Sequence, residues 1–274
     1  MARTVVRPTL AATLDAIAAH GIASLQFGLE CADLEPMPRS FSPSDLGAIR
    51  AELAARGMDM AAVSGTFNMI DPDAARRADG IERLRALIGA CRGLGTGVIT
   101  LCTGTRDPEN MWRAHPDNGS PAAWRDLVAA LAALLPAAEA AGVALALEPE
   151  VSNVIDSAER ARRLLDELRS PALRVCIDGA NLFHAGELPR MGEILDRAFD
   201  LLGGDIVLAH AKDLDHDGAA GHLPAGHGRL YYPRYLSQLH RCGYTGAVVL
   251  HGLREEEIDG CAAFLRDGLA AAAR

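Results

Sequence analysis

Seven short apolar runs, each followed by a longer amphipathic stretch, divide this 274-residue chain into units of similar length. The apolar runs fall at residues 22–29, 58–64, 98–102, 143–147, 173–177, 206–209 and 247–250. Helical stretches follow them at 44–56, 73–94, 121–141, 157–168, 192–202, 232–242 and 258–273, and one more, 9–20, precedes them all. Runs of this length bounded by turn residues read as buried strands, and three-to-four spacing of apolar residues reads as helix. Strands separated by whole helices pair side by side in parallel, with the helices packed outside. Eight such units close a barrel. The chain is therefore expected to be a single domain, residues 1–274, folded as a (β/α)8 TIM barrel. Its first strand is short, irregular or missing, because only Arg3-Thr-Val-Val-Arg7 stands ahead of the leading helix.

Composition narrows the partners. The net charge is −9, from 36 acidic against 27 basic residues, which argues against a nucleic-acid phosphate backbone as partner. The six cysteines form no Cys-x-x-Cys pair, and several lie in apolar runs, as expected of reduced thiols in a cytoplasmic protein. The first residues contain no long apolar segment of the secretory kind. The Ala-rich run 129–146 reads as helix, turn and strand, broken by Pro136 and Gly142, so no membrane span is expected. The expected partner is a small molecule, and self-association into a homo-oligomer is compatible with the composition.

In such a barrel, chemistry belongs at the carboxyl ends of the strands. The last four runs end there in metal-ligand residue types: Glu148, Asp178, His210 and His251. Equivalent positions one unit apart converge on the barrel axis. Two carboxylates with imidazoles suit Mn²⁺, Co²⁺, Fe²⁺, Zn²⁺ or Mg²⁺. Glu150 lies two residues beyond Glu148, on the same face of an extended chain, where one carboxylate can bind metal while the other relays protons. Asn181 and His184 follow Asp178 and are candidate substrate contacts. His210 and Lys212 share a parity, so Lys212 also faces inward. Arg229, like the segment Gly104-Thr-Arg106, is a candidate for meeting an anionic substrate. Two long loops follow strand ends, 104–120 and 213–230. The second holds four glycines together with His216, His222 and His227, and is expected to cover the site.

Leu147-Glu-Pro, the strand-ending Asp178 and His210-Ala-Lys-Asp213 resemble the signature of the xylose isomerase-like sugar phosphate isomerases and epimerases. Gly226-His-Gly-Arg-Leu-Tyr-Tyr, Gly243-Tyr-Thr-Gly and Ala247-Val-Val-Leu resemble that family's closing segments, and the similarity extends over residues 9–273. The resemblance implies a divalent metal (Mn, Co, Mg or Zn) on Glu148, Asp178 and His210, a polyol or keto-sugar substrate, and isomerisation or epimerisation through an enediolate. Glu148, Glu150 and His251 are then the catalytic candidates. The pattern departs in one place. The family ends its eighth strand with a glutamate that binds metal and moves protons, whereas this chain reads Leu250-His-Gly-Leu. Either His251 or an acid among Glu255, Glu256 and Glu257 supplies that position. Three rival readings stay open: a lyase resembling inosose dehydratase, a phosphodiesterase resembling endonuclease IV, and a metal-bearing barrel that binds sugar without turnover.

Overall fold

The computed structural model describes all 274 residues. Its elements alternate throughout: α1 (Leu10–Ala19), β1 (Ser24–Phe27), α2 (Pro43–Ala54), β2 (Asp59–Ser64), α3 (Ala74–Leu94), β3 (Val98–Cys102), α4 (Pro121–Ala141), β4 (Ala144–Glu148), α5 (Ala158–Leu168), β5 (Leu173–Asp178), α6 (Met191–Leu202), β6 (Ile206–Asp213), β7 (Leu223–Pro224), α7 (Tyr232–Arg241), β8 (Val248–Leu250) and α8 (Ile258–Ala272). The helices begin where side-chain oxygens can take the free amides of the first turn. Ser42, Asp73, Ser120 and Ser157 each accept such a bond. Gly95 (φ 84°) and Gly142 (φ 66°) end α3 and α4 in left-handed conformations that a side chain would resist. The Ala-rich run accordingly ends its helix at Ala141 and re-enters as β4. On α4, Trp124, Leu127, Leu131 and Leu134 are buried in the core.

Seven strands pair in parallel in the order β1-β2-β3-β4-β5-β6-β8, and the short β7 folds back antiparallel on the end of β6. Of the short, irregular or missing first strand that was expected, the structure has the last. Ala2–Thr4 instead form one 3-10 turn, and the amino group of Met1 donates to the Leu250 carbonyl at 2.7 Å. The curled sheet therefore has a seam between β8 and β1, lined by an apolar cavity of about 480 Å³ that includes Ile22, Leu25, Val248 and Leu250. The return strand β7 pairs with Lys212 and Asp213, which carries β6 four residues past the apolar run at 206–209.

The main core of 65 residues lies largely between sheet and helices. A second, small cluster joins one residue from each of five strands: Ala62, Ala146, Cys176, Leu208 and Val249. Side chains two residues apart on a strand share a face. Moving up by two from four of these residues gives Glu148, Asp178, His210 and His251. The apolar layer thus forms a floor, and the candidate ligands stand on it.

Candidate metal centre

Each candidate ligand is placed by its strand. Asp178 and His210 are register partners on β5 and β6. The Tyr235 hydroxyl donates to the carbonyls of both Ile177 and His210, fixing the two strand ends together. Ligand-type atoms of Asp178, His210 and His251 lie within 4.8 Å of one another, and those of Glu148, Cys176 and His210 do likewise. The His210 and His251 rings are 5.1 Å apart. Cys176 belongs to the floor. Its burial, with Glu148 and Asp178 above it, pushes the thiol well above its ordinary range, so it stays protonated and packs rather than ligates.

Gln26, which no motif or spacing singles out, orients the central histidine. Its amide nitrogen donates to Ser64 Oγ (3.0 Å) and Thr100 Oγ1 (2.9 Å), and its Oε1 lies 2.7 Å from His210 Nε2. With the amide so anchored, Nε2 carries a proton. His210 Nδ1 faces Glu148 Oε1 at 3.3 Å, as a protonated donor in the metal-free protein or as a lone pair once a cation takes the place of that proton. Two further atoms in the cluster, Asp178 Oδ2 and His251 Nδ1, are buried without a hydrogen-bond partner. Lys212 Nζ stands 3.4 Å from Asp178 Oδ2, an ion pair too long to satisfy that oxygen as a hydrogen bond. Uncompensated polar atoms are rare in folded interiors. Their convergence here, with two carboxylates and two imidazoles, fits a divalent cation.

The electrostatics follow from burial and neighbours. Burial pushes the Glu148 carboxyl up, but His210 and Lys212 outweigh it and hold the group below its ordinary range. Asp178 is raised, because burial costs its charge more than Lys212 returns. Burial disfavours the Lys212 ammonium, but Asp178, Glu148 and Glu150 together keep it charged. His251 is held well below 6.5 by burial and by the positive charge of Lys212, so its imidazole is neutral. Glu150 is raised to about 7 by burial and by the charge of Glu148.

The remaining candidates divide. Glu150 is buried beside the cluster and accepts from Asn153 Nδ2 at 3.0 Å, while Asn153 Oδ1 accepts from Gly104 N and Cys102 Sγ. Asn181 donates to Glu148 Oε1 at 2.7 Å and accepts from Gly221 N at 2.9 Å. The loop after β6 therefore stands on the carboxyl face of the barrel and touches the site through Gly221. Asp213 organises that loop by accepting from the amides of Leu214, Gly226 and Leu230.

Four residues lie elsewhere. His184 lines a polar cleft of about 160 Å³ with Ser157, Glu187 and Arg197, between α5 and α6. Leu182 and Phe183 beside it are buried, while His184 is half-buried at this cleft. Arg229 is exposed, its backbone amide bonded to Leu214 O. The Arg106 guanidinium is spent on Asp126 and the Ile70 carbonyl. Glu255 pairs with Arg7 at the surface at 2.5 Å.

The family profile described as xylose isomerase-like TIM barrel matches residues 14–267. No curated protein matches the chain significantly. Solved structures match along nearly the whole chain. A D-tagatose 3-epimerase-like protein aligns at TM-score 0.76 and 15% identity, over 97% of this chain and 95% of its own. D-psicose 3-epimerase with D-tagatose from Clostridium cellulolyticum H10 aligns at TM-score 0.71 and 17% identity, over 96% and 94%. A xylose isomerase-like TIM barrel protein from Mycobacterium smegmatis in complex with magnesium aligns at TM-score 0.71 and 18% identity, over 96% and 87%. The profile match over most of the length, with the sheet and helix order above, places this chain in the xylose isomerase-like TIM barrel family.

Proposed function

We propose that this protein is a divalent-metal-dependent sugar isomerase or epimerase acting through an enediolate. The observation that carries the reading is that His210 shares one cluster with Asp178 and His251 and another with Glu148, with Asp178 Oδ2 and His251 Nδ1 buried there without a hydrogen-bond partner. The similarity to one protein named as a sugar epimerase, to one named as epimerase-like, and to one complexed with magnesium agrees with it.

Those four residues would hold the ion, which when bound supplies Lewis-acid polarisation of a carbonyl next to a hydroxyl. The protein's own groups then move the proton. Glu148 is a carboxylate at neutral pH, and Glu150 titrates near it, at about 7. A base with such a value is well matched to taking a proton from carbon and giving it back. Return to the neighbouring carbon isomerises the sugar, and return from the opposite face epimerises it. Lys212, buried and charged, places a fixed positive charge beside the oxygen that gains negative charge. Asn181 ties the covering loop to Glu148, so loop position and carboxylate position are coupled.

The test is a panel of ketoses with protein stripped by chelator and reloaded with Mn²⁺ or Co²⁺. Activity should vanish on stripping and return on reloading, with product of unchanged mass. Full activity in protein shown metal-free by elemental analysis would overturn the reading. Product lighter by one water would assign the lyase chemistry instead, and tight sugar binding without turnover would assign a binding role. Asp178→Asn and His210→Ala should abolish metal binding while leaving the helical circular dichroism unchanged, because both side chains stand above the packed floor.

A further inference from the structure

Between the two sheet edges, β8 and β1, and the helix α8 outside them lies the apolar cavity of about 480 Å³, a volume usual for small-molecule sites. One wall is a stripe of α8, Ile258, Ala262, Leu265 and Leu269, spaced as one face of a helix. The opposite wall includes Leu25 of β1 and Val248 of β8. Val249 belongs to the floor of the barrel, so its neighbour Val248 points the other way, toward α8. None of Glu148, Asp178, His210 and His251 lines this cavity, so it is separate from the candidate metal centre.

We infer that this cavity binds the tail of a long-chain carboxylate, such as a fatty acid, with its head group at Arg266.

The apolar walls select the tail. Protein interiors are close-packed, with few voids larger than a water molecule. An apolar space of this kind holds water poorly, because a buried water needs several polar partners. An acyl chain needs contact and no hydrogen bonds, and it bends to follow a slot bounded by two strands and a helix.

The charge of the lining selects the head group. The chain carries 36 acidic residues, yet none of them lines the cavity. Arg266 is the one lining side chain with a permanent charge. It makes no ion pair, and its Nη2 lies 3.4 Å from the Gly21 carbonyl just ahead of β1. Arg7 and Arg254, by contrast, are spent on Glu255 and Glu257. Arg266 and His240 are both exposed, so the end of the cavity that they line is open to solvent. A carboxylate at that end meets a cation in water while its tail is buried, whereas a cationic head group would meet only repulsion. A bound tail also joins β1, which carries Gln26, to β8, which leads to His251, and so closes the seam.

Isothermal titration of the protein with octanoate, decanoate and decanol, each below its aggregation limit, tests this. Decanoate should bind roughly 15-fold more tightly than octanoate, because two more methylenes are buried. Arg266→Gln should weaken decanoate about tenfold and leave decanol unchanged. Val248→Trp and Leu269→Trp fill the cavity from opposite walls and should abolish binding. Leu269 is exposed, so its variant keeps the fold even where Val248→Trp does not, and melting of the unliganded variants checks this. Failure of decanoate to bind overturns the proposal. Decanol and decanoate binding equally well to wild type and to Arg266→Gln also overturns it, since the cavity would then take any apolar filler. Unchanged binding in a folded tryptophan variant overturns it by placing the ligand elsewhere. If the peptide acetyl-Thr-Val-Thr-Val-Thr-amide binds and decanoate does not, the slot takes an added strand on the β1 and β8 edges instead. The result does not depend on whether the barrel binds metal or turns over sugar.

Discussion

Gln26 and His210, 184 positions apart, meet across the barrel at 2.7 Å, and that contact decides which nitrogen of the histidine faces the centre. The glutamine is itself held by two hydroxyls on neighbouring strands, Ser64 and Thr100. Three strands therefore cooperate to aim one ring nitrogen. Gln26→Leu should leave the fold intact and weaken Mn²⁺ binding by roughly 10–100-fold, the usual loss when an outer partner of a ligating histidine is removed. Isothermal titration of the stripped protein measures this. Unchanged affinity would mean that His210 finds its orientation without Gln26.

His251 is neutral and half-buried, with Nδ1 unsatisfied and Nε2 3.5 Å from the Arg3 guanidinium. His251→Ala should weaken metal binding by more than the Gln26 variant does, because a direct ligand is lost. His251→Glu should retain the ion, since it restores a carboxylate, and should shift the pH profile of turnover. If His251→Ala binds metal as tightly as wild type, the fourth ligand is not this residue.

The Glu150 carboxyl titrates at about 7 in the folded apo-protein, against 4.5 for an ordinary glutamate. A group whose folded value is raised stabilises the fold while protonated. That contribution is complete below about 4.5 and is lost as pH rises through about 7. The interval corresponds to about 3 kcal/mol. Glu150→Gln keeps the bond from Asn153 and carries no charge. The stripped variant should therefore gain stability over stripped wild type across that window, read by urea melts at several pH values. Parallel curves would mean that Glu150 is ionised throughout.

Gly221 has no room for a side chain. A Cβ there would sit 2.5 Å from Ala180 Cβ and 3.2 Å from both Lys212 Cβ and Asp213 O. Gly221→Ala should push the covering loop off Asn181, releasing its hold on Glu148. Amide exchange in 214–222 should speed up and turnover should fall several-fold, with melting temperature changed little because the loop lies outside the core. An unaffected rate with faster exchange would uncouple the loop from the site.

Much was legible in the sequence because it depends on periodicity. The alternation of apolar runs and amphipathic stretches determined seven parallel strands and eight helices, and the stretch before Thr9 left a first strand that could be short, irregular or missing. The repeat of a strand-ending ligand type brought Glu148, Asp178, His210 and His251 to one face, since residues two above a common floor must point the same way. The tertiary structure alone decided the rest. His184 follows the same strand as Asp178, but it is half-buried at the cleft between α5 and α6 while Leu182 and Phe183 are buried, and nothing in local spacing tells which of three neighbours enters the core. Arg106 was drawn away to Asp126, a partner twenty residues on whose nearness depends on how α4 packs. Gln26 carried no sequence signal at all, because a single amide on a short strand acquires its role only when the curl of the sheet brings His210 within 2.7 Å of it. Periodicity fixes which face a residue occupies, whereas the pairing of polar groups across the barrel depends on distances that only the folded chain defines.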